Sequence, residues 1–249
     1  MALTALYFGS FNPIHNGHVG VAQYVVAGGF ADEVWLVVSP HNPHKAASGL
    51  APEGDRLEMA RRAVENIKGV EVCDVEFSME RPSYTIKTLE RLKELYPERT
   101  FALLGGGDVA ATIATWREGE RIMRENVILI YPRNEHDHFG EPCVMLDGAM
   151  MMDVSSTQIR EMIATGGEWE SLVPQRVAEY INEHELYMNQ EVIRELEEGK
   201  KAFAESDFGA AKNHFGAVLR MDAENTEATQ WLEMIEDILA FRHKDYYNP

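Results

Sequence analysis

The chain is expected to adopt an α/β fold with a parallel sheet, followed by a small all-α unit. Three observations predict this: short aliphatic runs alternate with helix-period stretches, each run ends at Gly, Pro or Asn, and the strand signal stops near residue 188 while helical periodicity continues. The first run, Thr4 to Phe8, leads through a polar turn into an apolar-periodic helix over Val19 to Ala27, and then into a second run, Val34 to Val38. The acidic pair Glu53 and Asp55 opens a helix over Arg56 to Ile67, and another is expected over Thr85 to Leu95. A strand over Phe101 to Leu104, a helix over Trp116 to Arg124 and a strand over Val127 to Tyr131 complete the alternation, with Met150-Met151-Met152 read as a soft core strand. In open parallel sheets ligands bind beyond the carboxyl ends of the strands, so the residues just after each run are the candidates for chemistry.

After Tyr187 the texture becomes purely helical, which sets the expected domains at 1–188 and 189–249. Val192, Leu196, Gly199 and Phe203 recur at steps of three and four. So do Phe208, Ala211, Phe215 and Leu219, and again Ala228, Leu232, Ile235 and Leu239, giving three amphipathic helices. Phe203, Phe208, Phe215 and Trp231 are expected to pack within this tail. Phe241, Tyr246 and Tyr247 are expected to dock on the first domain or on a second subunit, making the tail a candidate surface for a homo-oligomer or a protein partner.

Composition narrows the function. Of 249 residues, 45% are hydrophobic and 26% charged, as in ordinary folded proteins. Against 41 Asp and Glu stand only 23 Lys and Arg, a formal charge of −18, which excludes a broad cationic surface for nucleic acid or anionic lipid; an anionic ligand must be held locally. The two cysteines, Cys73 and Cys143, have no metal-ligand spacing and cannot form a disulfide framework. The apolar start Ala2 to Phe8 lacks a basic leader, and no apolar run approaches the ~20 residues needed to span a bilayer. A soluble, cytoplasmic protein is expected.

The most informative segment is Gly9-Ser10-Phe11-Asn12-Pro13-Ile14-His15-Asn16-Gly17-His18, lying between a strand and a helix. Gly9 and Gly17 allow the backbone to approach a ligand closely, and the helix start offers unpaired N–H groups at its positive end. His15 and His18, three apart, share one side and can donate hydrogen bonds to phosphate oxygens. Much later, Asp153-Val154-Ser155-Ser156-Thr157-Gln158-Ile159-Arg160 repeats the logic: Ser155 and Gln158 have capping-box spacing, and Arg160 lies on the first turn of the helix they open. A guanidinium there holds two phosphate oxygens at once.

These two motifs resemble the His-x-Gly-His and Ser-Ser-Thr-x-x-Arg signatures of the nucleotidyltransferase superfamily, and the first resembles that of nicotinate-nucleotide adenylyltransferases. Val154 stands where that family has Ile. The resemblance covers residues 1 to 187 and implies a Rossmann-like parallel sheet. It assigns catalysis to His15, His18, Lys45 and Arg160, and ATP binding to Gly9, Ser10, Phe11, His15, Gly17, His18, Asp108, Arg133, Ser155, Ser156, Thr157 and Arg160. The mononucleotide falls to Asn12, Lys45, Tyr84, Thr85 and Trp116.

Lys45 belongs to a Pro40-His41-Asn42-Pro43-His44-Lys45 segment similar to the family's Pro-His-Lys loop, and is equally consistent with a Pro-rich surface loop. Asp108, at the end of Leu104-Gly105-Gly106-Gly107-Asp108, suits a ribose but is also placed to cap the next helix. Ser83-Tyr84-Thr85-Ile86-Lys87-Thr88-Leu89 matches the family's Ser-Tyr-Thr-x-x-Thr-Leu, Ser83 doubling as a cap. Tyr131-Pro132-Arg133-Asn134 stands where the family has Arg-Pro-Gly, without its Pro-Gly. His136 and His138 are read as a polar loop, with no metal site.

The implied reaction is in-line attack by the phosphate of nicotinate mononucleotide on the α-phosphorus of ATP, with Mg²⁺ arriving on the triphosphate rather than on dedicated protein ligands. The alternatives are a related transferase acting on nicotinamide mononucleotide, phosphopantetheine, flavin mononucleotide or a cytidylyl acceptor, or an inactive scaffold whose tail binds a partner. The tail resembles one tetratricopeptide repeat plus a capping helix.

Overall fold

The aliphatic runs lie side by side. The computed structural model describes residues 2–40, 50–132, 139–146, 148, 154–223 and 225–245 and contains a six-stranded parallel sheet. Strand β1 (Leu3–Gly9) leads to helix α1 (Asn16–Ala27), β2 (Glu33–Val38) to α2 (Glu53–Val64), and β3 (Val70–Cys73) to α3 (Thr85–Leu95). Next come β4 (Thr100–Gly106), α4 (Gly107–Thr112), α5 (Gly119–Glu125), β5 (Val127–Tyr131) and β6 (Cys143–Met145). Across the sheet the order is β3-β2-β1-β4-β5-β6. Every neighbouring pair is parallel, with Leu6 between Trp35 and Leu103.

Alternation along the strands sends Leu6, Trp35, Val37, Phe101, Leu103, Ile128 and Ile130 to one face, where they pack with Ile86, Leu89 and Leu92 of α3. Their chain neighbours, such as Ala5, Leu36 and Leu104, are equally buried, because both faces of a parallel sheet are covered. Here α1 and α2 contact β2, and α7 (Gln175–Glu183) packs against α2. The chain leaves β1 toward β2 on one side and returns from β3 to β4 on the other. The carboxyl ends of β1 and β4 therefore flank a topological switch point, where such sheets form a crevice.

Two strands escaped the sequence reading, β3 and β6. Both are short edge strands; β3 carries an exposed Glu71 and β6 spans only Cys143–Met145, too little for a periodic signal. The helix expected from Trp116 begins later, at Gly119, because Trp116 is extended (φ −71°, ψ 162°) after a 3₁₀ turn over Ile113–Thr115. Met150 to Met152, His136 and His138 lie outside the described residues.

Contacts group Met1–Ser156 with Leu172–Glu183 in one unit and Thr157–Ser171 with His184–Pro249 in a second. Helix α6 (Ser156–Ala164) starts at the first boundary. The second unit contains α8 (Gln190–Ala204), α9 (Phe208–Met221) and α10 (Thr226–Asp245), each entered through a polar cap. Asn189 accepts from the Glu191 N–H at 3.1 Å, Asp207 from Ala210 at 2.9 Å and Asn225 from Ala228 at 2.9 Å. Phe215 is fully buried and stacks on Trp231 (5.7 Å between centroids, 5° between planes), while Phe203 meets Phe208 and Trp231 edge-on. Gly199 permits this packing, since a Cβ there would lie 2.7 Å from the Phe215 ring. The side chains of Phe241, Tyr246 and Tyr247 lie outside the described residues. No helix among the described residues is long and apolar enough to cross a membrane.

Candidate active site

The turn after β1 is held in shape by its own residues. Phe11 adopts a left-handed backbone (φ 46°), an unfavourable conformation for an aromatic residue, yet its side chain is only 2% exposed. The ring covers Gly9, where a Cβ would come within 2.9 Å of it, and stands edge-on to His18 (5.2 Å) and Tyr7 (5.9 Å). His15 occupies the N-cap of α1 and His18 its third position. The His15 backbone N–H donates to Nδ1 of His18 at 3.2 Å, the part a glutamate takes in a capping box. With Nδ1 accepting, this hydrogen bond assigns the proton of a neutral His18 ring to Nε2, which becomes the outward donor. The two imidazoles lie face to face, 3.7 Å between centroids and tilted by 35°; His15 is buried and His18 half-buried. Gly17 makes room for them, a Cβ there falling 3.0 Å from the His15 ring.

A residue absent from the sequence-based assignment fixes this turn from below. Arg56 is 1% exposed, and its guanidinium donates to the Ser10 carbonyl at 2.7 Å, Ser39 at 2.8 Å, Pro40 at 2.7 Å and Ala51 at 3.1 Å. One buried cation thus ties the ends of β1 and β2 to the entry of α2, in an interior where unbonded carbonyls are costly. Asn12, expected at the mononucleotide, is 3% exposed and accepts the Ala51 N–H at 2.9 Å, reinforcing the same tie. A signal existed: Arg56, Met59, Ala60 and Ala63 are spaced as one buried helical stripe, and an arginine within such a stripe must have partners. Glu53 and Asp55 beside it disguise the position as a solvated helix entry. Asp55 accepts from the Tyr180 hydroxyl of α7 at 2.9 Å, and Arg62 lies 4.4 Å from the centroid of the same tyrosine ring.

The late motif reaches this turn. Ser156, the first residue of α6, donates to the Pro13 carbonyl at 2.9 Å, and a Cβ on Gly17 would stand 3.3 Å from Cγ1 of Val154. Ser155 precedes the helix, as the capping spacing requires. Thr157 and Arg160 belong to the second unit, where Arg160 donates to the Thr157 hydroxyl at 3.3 Å. Asp108 is exposed in the first turn of α4, at the carboxyl end of β4 beside β1. Tyr7 donates to Tyr131, at the end of β5, across 2.9 Å. Lys45 and Arg133 lie outside the described residues.

The aromatic residues expected at the mononucleotide lie in the same unit. Tyr84 is the N-cap of α3, Thr85 its first residue, and Tyr84 and Trp116 are both half-buried against the core on the α3 face. Glu76, also unforeseen, is 2% exposed and anchors this helix entry by accepting from Ser83 at 2.7 Å and Thr88 at 2.8 Å. Ser83 is therefore an anchor rather than the cap. The next residue after Trp116, Arg117, lies 4.7 Å from the centroid of the Tyr84 ring. A separate groove of about 470 Å³, lined by Trp35, Cys73, Phe77, Leu95 and Tyr96, shares no residue with either group; burial pushes the Cys73 thiol up to about 11. Among the described residues no group of three or more His, Cys, Asp or Glu gathers to hold a metal.

Residues 6–162 match the model of the family described as cytidylyltransferase-like. A protein of Flavobacterium johnsoniae named "Probable nicotinate-nucleotide adenylyltransferase" is 38% identical over 187 residues, covering 73% of this chain and 97% of its own. A namesake from Bacteroides fragilis is 45% identical over 166 residues, 66% of this chain and 83% of its own. Among solved structures, the Plasmodium falciparum nicotinic acid mononucleotide adenylyltransferase complexed with NaAD has a TM-score of 0.64 at 22% identity, covering 75% of this chain and 98% of its own, a likeness of fold. The chain belongs to the cytidylyltransferase-like family, and within it to the nicotinate-nucleotide adenylyltransferases.

Proposed function

We propose that the chain transfers the adenylyl group of ATP to nicotinate mononucleotide, releasing pyrophosphate and forming nicotinate adenine dinucleotide. The observation that carries this reading is the meeting of two distant motifs, Ser156 hydrogen-bonded to Pro13 beside the paired His15 and His18. Two amide-rich helix starts suit a polyphosphate. A phosphate monoester is ionised near neutral pH, so it attacks the α-phosphorus directly and the leaving oxygen departs on pyrophosphate. The protein has only to align the two anions and stabilise the growing charge. Nε2–H of His18 is the donor for that charge and His15 supports it by stacking, with Lys45 assigned to the phosphates. Asp108 and Arg133 take the adenosine side, and Tyr84, Thr85 and Trp116 the pyridine. Magnesium, arriving with ATP rather than on protein ligands, would screen the phosphate charge.

The functional boundary is placed at residue 188, because the motifs end before it. The following helices are read as one tetratricopeptide-like repeat with a cap, whose apolar surface serves subunit or partner contact in the cytoplasm. A pyrophosphate-release assay with ATP and nicotinate mononucleotide tests the reaction. Turnover with this acceptor, and less with nicotinamide mononucleotide or phosphopantetheine, is expected. Release with phosphopantetheine alone would reassign the substrate, and silence with every acceptor would leave a scaffold.

A further inference from the structure

Helix α6 bears the late motif, yet from its second residue it packs as part of the helical tail. Thr157–Ser171 groups with His184–Pro249 in one compact unit. The helix closes at Gly166, whose left-handed backbone (φ 68°) turns the chain back over the last carbonyls: Met162 accepts from the Gly167 N–H at 2.8 Å and Ile163 from that of Gly166 at 3.3 Å. Against this closure lies Asn225, 2% exposed, in the turn between α9 and α10. A Cβ on Gly166 would stand 2.8 Å from Nδ2 of Asn225 and 3.3 Å from its Cγ, so the amide fills space that only a glycine leaves open.

Asn225 is itself held from three sides. Its Nδ2 donates to Asp222 at 3.0 Å, its Oδ1 accepts from the Ala228 N–H at 2.9 Å, and its carbonyl accepts from the Thr229 hydroxyl at 2.9 Å. Ala228 is fully buried in the tail core with Phe215 and Ile235. A packed interior transmits displacement instead of absorbing it, so the tail core fixes one amide and that amide fixes the end of α6. The helix is nine residues long, and its first turns carry Thr157 and Arg160, which the sequence motif assigns to ATP.

We propose that Asn225 is a positioning residue for ATP: by locking the closure of α6 it sets where Thr157 and Arg160 lie, which makes the tail a working part of the transferase. The inference rests on the adenylyl-transfer reading above and deepens it.

The test titrates ATP with Mg²⁺, and nicotinate mononucleotide separately, onto the full chain by calorimetry, and measures KM and kcat, for the wild type, Asn225→Ser and Asp207→Ala. Serine still caps α10 but is too short to fill the space beside Gly166. It should raise Kd and KM for ATP about 5-fold, the low end of coupling between separated sites, leave the mononucleotide unmoved, and speed hydrogen exchange in the amides of residues 157–164. Asp207→Ala removes the cap of α9, loosening the tail away from α6, and should leave ATP binding unchanged. Gly166→Ala should weaken ATP binding more in the wild-type background than beside Asn225→Ser, where the methyl has room. ATP binding unchanged in Asn225→Ser, or weakened equally by Asp207→Ala, overturns the role of Asn225 while the reaction stands. A wild type that binds ATP, loses it in Asn225→Ser and transfers to no mononucleotide overturns the reaction and supports this proposal. A wild type that binds no ATP overturns both.

Discussion

The turn after β1 and the aromatic surface at the start of α3 solve different problems with different materials. The turn is built from main chain, with four carbonyls gathered on buried Arg56, a left-handed Phe11 wedged over Gly9, and His18 locked by the His15 amide. The aromatic surface is built from side chains, half-buried Tyr84 and Trp116 with an exposed Arg117, behind an anchored helix entry. A turn proposed to align reacting anions gains from such rigidity, because a small displacement there costs rate. The aromatic surface, proposed to receive a flat ring, offers contact area instead.

Substitutions at the two surfaces should therefore fail differently. The largest effect is expected from His18→Ala, which should cut kcat by on the order of 10²-fold or more, as loss of an oxyanion donor does; single-turnover kinetics would show it, and unchanged turnover would remove His18 from the chemistry. Arg56→Ala should destabilise the first unit by on the order of 3 kcal/mol, because several buried carbonyls lose a donor at once. Denaturant unfolding reads this out, and Arg56→Lys, which keeps the charge but not the fork, should recover only part. Trp116→Ala should raise KM for the mononucleotide about tenfold by removing a ring-stacking surface, with KM for ATP little changed. Equal changes in both would place Trp116 in the core alone.

The smallest effect concerns the brace behind α2. Burial first, and then the hydrogen bond to Asp55, push the Tyr180 phenol up to about 12 from an ordinary 10. The folded state thus keeps a proton that the unfolded chain gives up earlier. This contribution is complete below about pH 10 and is lost as pH rises toward 12. Tyr180→Phe should flatten the alkaline decline of thermal stability between those values, and an identical decline in both proteins would exclude Tyr180 as its source.

Much of this was visible in the residues themselves. Interior strands such as Val34 to Val38 announce their burial because both faces are covered, and the segment from Gly9 to His18 concentrates chemistry that few other roles require. The edge strands β3 and β6 did not announce theirs, since half their groups face solvent. The missed site residues, Arg56 and Glu76, share one cause. Each is a charged side chain whose partners, the Ser10, Ser39 and Pro40 carbonyls or the Ser83 and Thr88 hydroxyls, are brought to it only by the fold. Local pattern reports periodicity and capping well; it is silent about which polar group will be enclosed. Asn12 shows the converse, a motif residue whose amide oxygen serves the loop itself.

The chain passes between its two compact units three times, after Ser156, after Ser171 and after Glu183. A gene-level exchange made at any single joint would carry away either residues 157–171 or the strap 172–183 with the wrong half. No single crossover in the gene therefore separates the two units whole: even one after residue 183 leaves residues 157–171 with the first.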